Sequence, residues 1–104
     1  MAEKEISQIQ KKVKELYKAN GWNTDPTLLI LAMQEELGEL AARWLNEHPG
    51  YEKSGKDTDL IFEEIGDLTH LILAFCNTQN LDFEKCVENT IAKRRKQHLK
   101  NAEN

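Results

Sequence analysis

The chain has 104 residues, 39% of them hydrophobic and 31% charged, and its 18 acids outnumber 14 lysines and arginines for a net charge of −4. This is the make-up of a single helix-rich globular domain, residues 1–104, with room for a core but little for a second function. An acidic balance argues against a nucleic-acid polymer as partner, no apolar run approaches the roughly 20 residues of a membrane span, and the first residues lack a signal peptide's apolar core, so the expected location is cytoplasmic.

The first predicted helix covers about residues 3–19, where Ile6, Ile9, Val13, Leu16 and Tyr17 recur at helical spacing among lysines and acids. Asn20-Gly21 is a stop signal, Trp22 falls in the connector, and Thr24-Asp25-Pro26 reads as an N-cap with proline in the first turn. The second helix runs from about 26 to 47 on Leu29, Ile30, Met33, Leu37, Leu40, Ala41 and Trp44, and His48-Pro49-Gly50 ends it. A polar connection, Tyr51 to Lys56, leads to Asp57 or Thr58 as cap of a third helix carrying Ile61, Ile65, Leu68, Ile72 and Phe75. That helix should stop between Asn77 and Asn80. Asp82 caps a fourth, with Phe83, Val87 and Ile91 on its apolar side and a basic end, Lys93-Arg94-Arg95-Lys96, while residues 99–104 are expected to fray. Nothing alternates with period two, so no sheet is expected. The short link between the second and third helices makes them antiparallel neighbours. Cys76 and Cys86 show neither C-x-x-C nor zinc spacing and read as reduced core residues.

Two hexapeptides, 28 positions apart, repeat one pattern: Glu35-Glu36-Leu37-Gly38-Glu39-Leu40 and Glu63-Glu64-Ile65-Gly66-Asp67-Leu68. Each holds a carboxylate pair at i, i+3, Glu36 with Glu39 and Glu64 with Asp67, and that spacing puts both members on one helix face. The acids fall within otherwise apolar rows, Leu29-Met33-Glu36-Leu40 and Leu60-Glu64-Asp67-Leu71. Four carboxylates brought together there would be costly to ionise without compensation. A hard divalent cation resolves the conflict, and Mg²⁺ suits carboxylate oxygens while keeping waters for a phosphate. Glu36, Glu39, Glu64 and Asp67 are therefore the expected metal ligands. Gly38 and Gly66 cost about 1 kcal/mol each against alanine in a helix, and are expected to let the helices or a ligand approach closely at the acidic level.

E-x-x-E and E-x-x-D, separated by 24 residues on consecutive helices, resemble the all-α nucleoside triphosphate pyrophosphohydrolases, the MazG-like family, over roughly residues 20–98. The resemblance implies a four-to-five-helix antiparallel bundle. It also implies Mg²⁺-dependent hydrolysis (Mn²⁺ as substitute) of a nucleoside triphosphate at the α–β bond, to monophosphate and pyrophosphate, as in nucleotide-pool sanitation. It further implies a homodimer or homotetramer. Glu35 or Glu39 would receive the proton of the attacking water, Glu35 being preferred to Glu63 for the supporting role because it stands one turn before Glu39. On the fourth helix Lys85, Asn89 and Lys93 form a polar stripe beside the apolar one. In the family a basic residue and an asparagine on the last helix hold phosphates, which Asn89 and Lys93 match best, with Arg94 and Arg95 as rivals.

Other residues have weaker claims. Trp44, and less so Trp22, could stack on the base, although tryptophan at this spacing more often belongs to a core. His70, one turn past Asp67, could orient a ligand or simply sit at the surface. Lys53 and Lys56 could close over phosphates. Three alternatives stand beside the main one: a phosphoribosyl-ATP pyrophosphohydrolase-like enzyme, a non-catalytic helical module, and a di-metal carboxylate bundle. Asp67-Leu68-Thr69-His70 imitates one acid-x-x-His element of the last, but that architecture needs two. No G-x-x-x-x-G-K-[ST] loop is present, and nothing suggests a covalent nucleophile.

Overall fold

The computed structural model describes residues 4–47 and 58–102, apart from the side chains of Asn46, Glu47 and Thr58. The expected His48-Pro49-Gly50 stop, the Lys53 and Lys56 loop and Asp57 as a cap lie outside the described residues. Within them are four helices and no strand: α1 (Glu5–Asn20), α2 (Pro26–Glu47), α3 (Thr58–Thr78) and α4 (Phe83–Ala102).

The boundaries follow from local chemistry. Gly21 takes a left-handed conformation (φ 62°, ψ 30°), which costs glycine nothing, and closes α1. The Trp22 amide then donates to the Tyr17 carbonyl at 3.0 Å, which returns the indole to the last turn of α1. Asp25 caps α2: its Oδ1 accepts from the Thr27 amide at 2.8 Å, with Pro26 as the first helical residue. Asp82 caps α4 by accepting from the Lys85 amide at 3.2 Å. Contrary to the expected fraying from 99, α4 continues to Ala102.

α2 and α3 are antiparallel, with Leu29 and Leu71 in one buried cluster and Glu36 beside Glu64 seven residues further along. α1 runs antiparallel to α3, since Tyr17 meets His70 and Gln10 meets Asn77. Val13, Tyr17, Leu29, Leu71, Leu73 and Ala74 form the core of this three-helix layer. α4 packs on α1. The Gln10 side chain accepts from the Phe83 amide and donates to the Leu81 carbonyl, while Lys4 pairs with Glu84 and Glu88.

Every residue of α4 from Lys85 onward is exposed. The radius of gyration is 17.4 Å, against about 13 Å for a compact chain of this length. The protomer is therefore splayed rather than closed. Large apolar side chains stand uncovered on α2 and α3: Ile30, Leu37 and Trp44 at heptad spacing on the first, Phe62 (81% exposed) and Ile65 on the second. Leu37 follows Glu36, and Ile65 follows Glu64, by the same rotation of about 100°. In an antiparallel pair that meets through Glu36 and Glu64, equal rotations turn both to one side. The hairpin thus has a bare apolar face and, on its other side, the acids and α1.

The expectation that Gly38 and Gly66 bring these helices together is not met. A Cβ at either position would find nothing within 4 Å. Both stand two residues past the inward-facing Glu36 and Glu64, which turns them about 200° away from the α2–α3 contact.

Candidate metal centre and substrate cleft

Glu36 on α2 and Glu64 and Asp67 on α3 each offer a carboxylate oxygen, and these oxygens lie within 4.8 Å of one another. Glu64 is buried (6% exposed), Glu36 half-buried and Asp67 exposed, so the cluster opens from the α2–α3 seam toward solvent. The Oε2 atoms of Glu36 and Glu64 are buried with no hydrogen-bond partner. An unpartnered buried carboxylate oxygen is strongly disfavoured. The strain is visible in Glu36, whose pKa is pushed up to about 7, first by the neighbouring Glu64 carboxyl, then by burial, then by Glu39. Three clustered carboxylates, two of which also carry a buried oxygen without a partner, are the kind of donor set a divalent cation such as Mg²⁺ takes. The residues fit the ion.

Glu39 lies outside the three-residue cluster but close enough to raise Glu36. Glu35, Glu39 and Glu63 are exposed. His70 is not among the clustered acids; its Nδ1 is hydrogen-bonded to the Tyr17 hydroxyl at 2.9 Å. Burial lowers the His70 pKa, opposed by the charge of Asp67. No second acid–histidine element occurs among the described residues.

Next to the acids is a cleft of about 400 Å³ lined by Tyr17, Trp22, Leu28, Ala32, His70 and Leu71 among others. Trp22 stands edge-on to Tyr17 with centroids 5.2 Å apart. Of the two tryptophans it is therefore Trp22 that lines an aromatic cleft beside the acids. Trp44, 59% exposed, stands on the bare apolar row with Ile30 and Leu37.

The structure does not bring the α4 stripe to the acids within one protomer. Asn77 and Phe83 share the level of Gln10, and α4 then travels away from the acid cluster. At 1.5 Å per residue, Asn89 lies roughly 24 Å and Lys93 roughly 30 Å along the axis from Asp67. Lys85, Asn89 and Lys93 also lie two residues from Val87 and Ile91, hence nearly opposite the apolar row rather than beside it.

The sequence reading overlooked Arg43. It is the only lysine or arginine on either acid-bearing helix, and its Nε is buried without a partner. The signal was present as a cation four residues past Glu39.

The family model for the MazG nucleotide pyrophosphohydrolase domain matches residues 24–100. Among solved structures, that of Bacillus subtilis YPJD, provisionally described as a pyrophosphatase, superposes with a TM-score of 0.73. It is 24% identical, over 89% of this chain and 95% of that one. At that identity the likeness concerns the fold. No curated protein sequence matches significantly.

Proposed function

This chain belongs to the MazG nucleotide pyrophosphohydrolase domain family, and on that premise we propose that it hydrolyses a nucleoside triphosphate between the α and β phosphorus atoms. The observation that carries the site assignment is the clustering of the Glu36, Glu64 and Asp67 carboxylates, with a buried, unpartnered oxygen on each of the two glutamates. Glu36, Glu64 and Asp67, with Glu39 beside them, would hold the divalent cation. When bound, Mg²⁺ or Mn²⁺ supplies charge neutralisation and Lewis-acid polarisation of the phosphate oxygens.

The chain's own residues divide the remaining work. The Tyr17–Trp22–His70 cleft takes the base, which stacks on the indole and leaves the α-phosphate over the acids. Water forms the new bond to the α phosphorus and gives its proton to Glu39 or Glu35, both exposed at the rim. The bridging oxygen leaves with pyrophosphate and keeps the electron pair of the broken bond.

A second copy of the chain completes the assembly. The exposed row of Ile30, Leu37 and Trp44 with Phe62 and Ile65 is left uncovered by the described residues, and a self-complementary apolar face suits a two-fold homodimer. Lys85, Asn89 and Lys93 would reach phosphates only across such an assembly, from one copy to another's site. The experiment that tests this function is a Mg²⁺-dependent pyrophosphate-release assay across natural and modified nucleoside triphosphates. Turnover of at least one triphosphate that is abolished by EDTA supports it, and an inert panel at several Mg²⁺ and Mn²⁺ concentrations counts against it.

A further inference from the structure

Arg43 sits on α2 four residues past Glu39 and seven past Glu36, about 6 Å and 10 Å along the helix. Its rotation on the helix differs from that of Glu36 by only about 20°, so it continues the row that faces α3. The residue is half-buried, its Nε is wholly covered, and it makes no ion pair or hydrogen bond among the described residues. That is unexpected for an arginine on a helix bearing Glu35, Glu36 and Glu39. A guanidinium whose Nε is covered without a hydrogen-bond partner carries a desolvation penalty, and no described residue offsets it.

Three features lie in order along the α2–α3 seam. The aromatic cleft is at Leu28–Ala32 and His70–Leu71, the acids are at Glu36 and Glu64, and Arg43 stands beyond them. A nucleotide with its base in the cleft and its α-phosphate at the acids points its β and γ phosphates toward Arg43. Resting on the function proposed above, we infer that Arg43 is the pyrophosphate-binding residue, and that the anion it does not find among the described residues is the β–γ unit of the substrate. The guanidinium presents planar, bidentate donors that match phosphate oxygens. It would meet the charge that gathers on the departing pyrophosphate as the bond to the α phosphorus breaks.

The test is calorimetric binding of two product probes, Mg²⁺–pyrophosphate and a nucleoside monophosphate, to wild type, Arg43→Gln and Arg43→Lys. Mn²⁺ binding and thermal melting are measured alongside. Removing a charge-assisted contact should weaken pyrophosphate about tenfold or more in Arg43→Gln. Monophosphate and Mn²⁺ affinities should stay within about twofold, because neither ligand extends past the acids. Arg43→Lys should recover part of the loss. Its charge remains, but its donors no longer form a fork. A melting point equal to or above that of wild type would accompany the loss, since the substitution removes a charged group whose Nε is covered without a partner. Undiminished pyrophosphate affinity in Arg43→Gln overturns the inference. So does an equal weakening of both probes, the signature of a merely structural arginine. Wild type that hydrolyses triphosphates while Arg43→Gln binds pyrophosphate normally refutes the role of Arg43 alone. Wild type that neither binds these probes nor turns over any triphosphate refutes the function itself, and the inference with it.

Discussion

Glu64→Gln should stabilise the metal-free protein and destabilise it, relative to wild type, once Mg²⁺ is present. The substitution keeps the shape of the side chain and removes one of three carboxylates whose oxygens lie within 4.8 Å. Two unit charges at that separation repel by about 3.5 kcal/mol at an effective dielectric of 20. Glu36, with a pKa near 7, is only partly ionised at neutral pH, and Asp67 is exposed, so the realised relief is smaller. About 1–2 kcal/mol is a fair expectation once solvent screening is included. With an unfolding entropy of about 0.2 kcal/mol/K for a chain of this length, the midpoint should rise by roughly 5–10 °C in EDTA. Mg²⁺ at a hundred times its dissociation constant adds about 2.7 kcal/mol to wild type, or roughly 12 °C, and much less to a variant that has lost a ligand. The order of the two melting curves should therefore reverse between EDTA and saturating Mg²⁺, as differential scanning fluorimetry or calorimetry would report. A variant that melts below wild type in EDTA, or gains as much from Mg²⁺, would refute the clustered site.

Two further outcomes follow from the same geometry. Because the Glu36 pKa is raised above its unfolded value, the native metal-free protein binds more protons between about pH 4.5 and 7, and its stability should fall as pH rises through that window. Glu36→Gln should flatten this profile in chemical denaturation, whereas an unchanged slope would show that Glu36 is not the responsible group. Leu37→Asp, on the bare face of α2, should shift light-scattering mass toward the monomer without loss of helical circular dichroism. An unchanged oligomer would place the interface elsewhere.

Local chemistry was legible in the sequence because its partners are close along the chain. The left-handed Gly21, the Asp25 and Asp82 caps and both i, i+3 acid pairs depend on spacings of one turn or less. What depends on the relation between helices was not. Trp22 and Trp44 have similar claims by composition, but only the α1–α3 packing shows that Trp22 lines the cleft. The stripe on α4 has convincing periodicity, yet its distance from the acids is set by where Gln10 clamps Phe83. Gly38 and Gly66 stand at the level of the acids, but the rotation of each helix turns them away from the contact. Arg43 was overlooked because a single arginine near a helix end has an ordinary electrostatic explanation, and only its covered, unpartnered Nε distinguishes it.

The central claim is attack of water at the α phosphorus of a nucleoside triphosphate, and the position of an oxygen label tests it most directly. Hydrolysis of the preferred triphosphate in heavy-oxygen water with Mg²⁺, followed by mass spectrometry of both products, should give monophosphate and pyrophosphate in equal amounts. The label should reside in the monophosphate. Label in the pyrophosphate, or release of orthophosphate and nucleoside diphosphate as the first products, would contradict it.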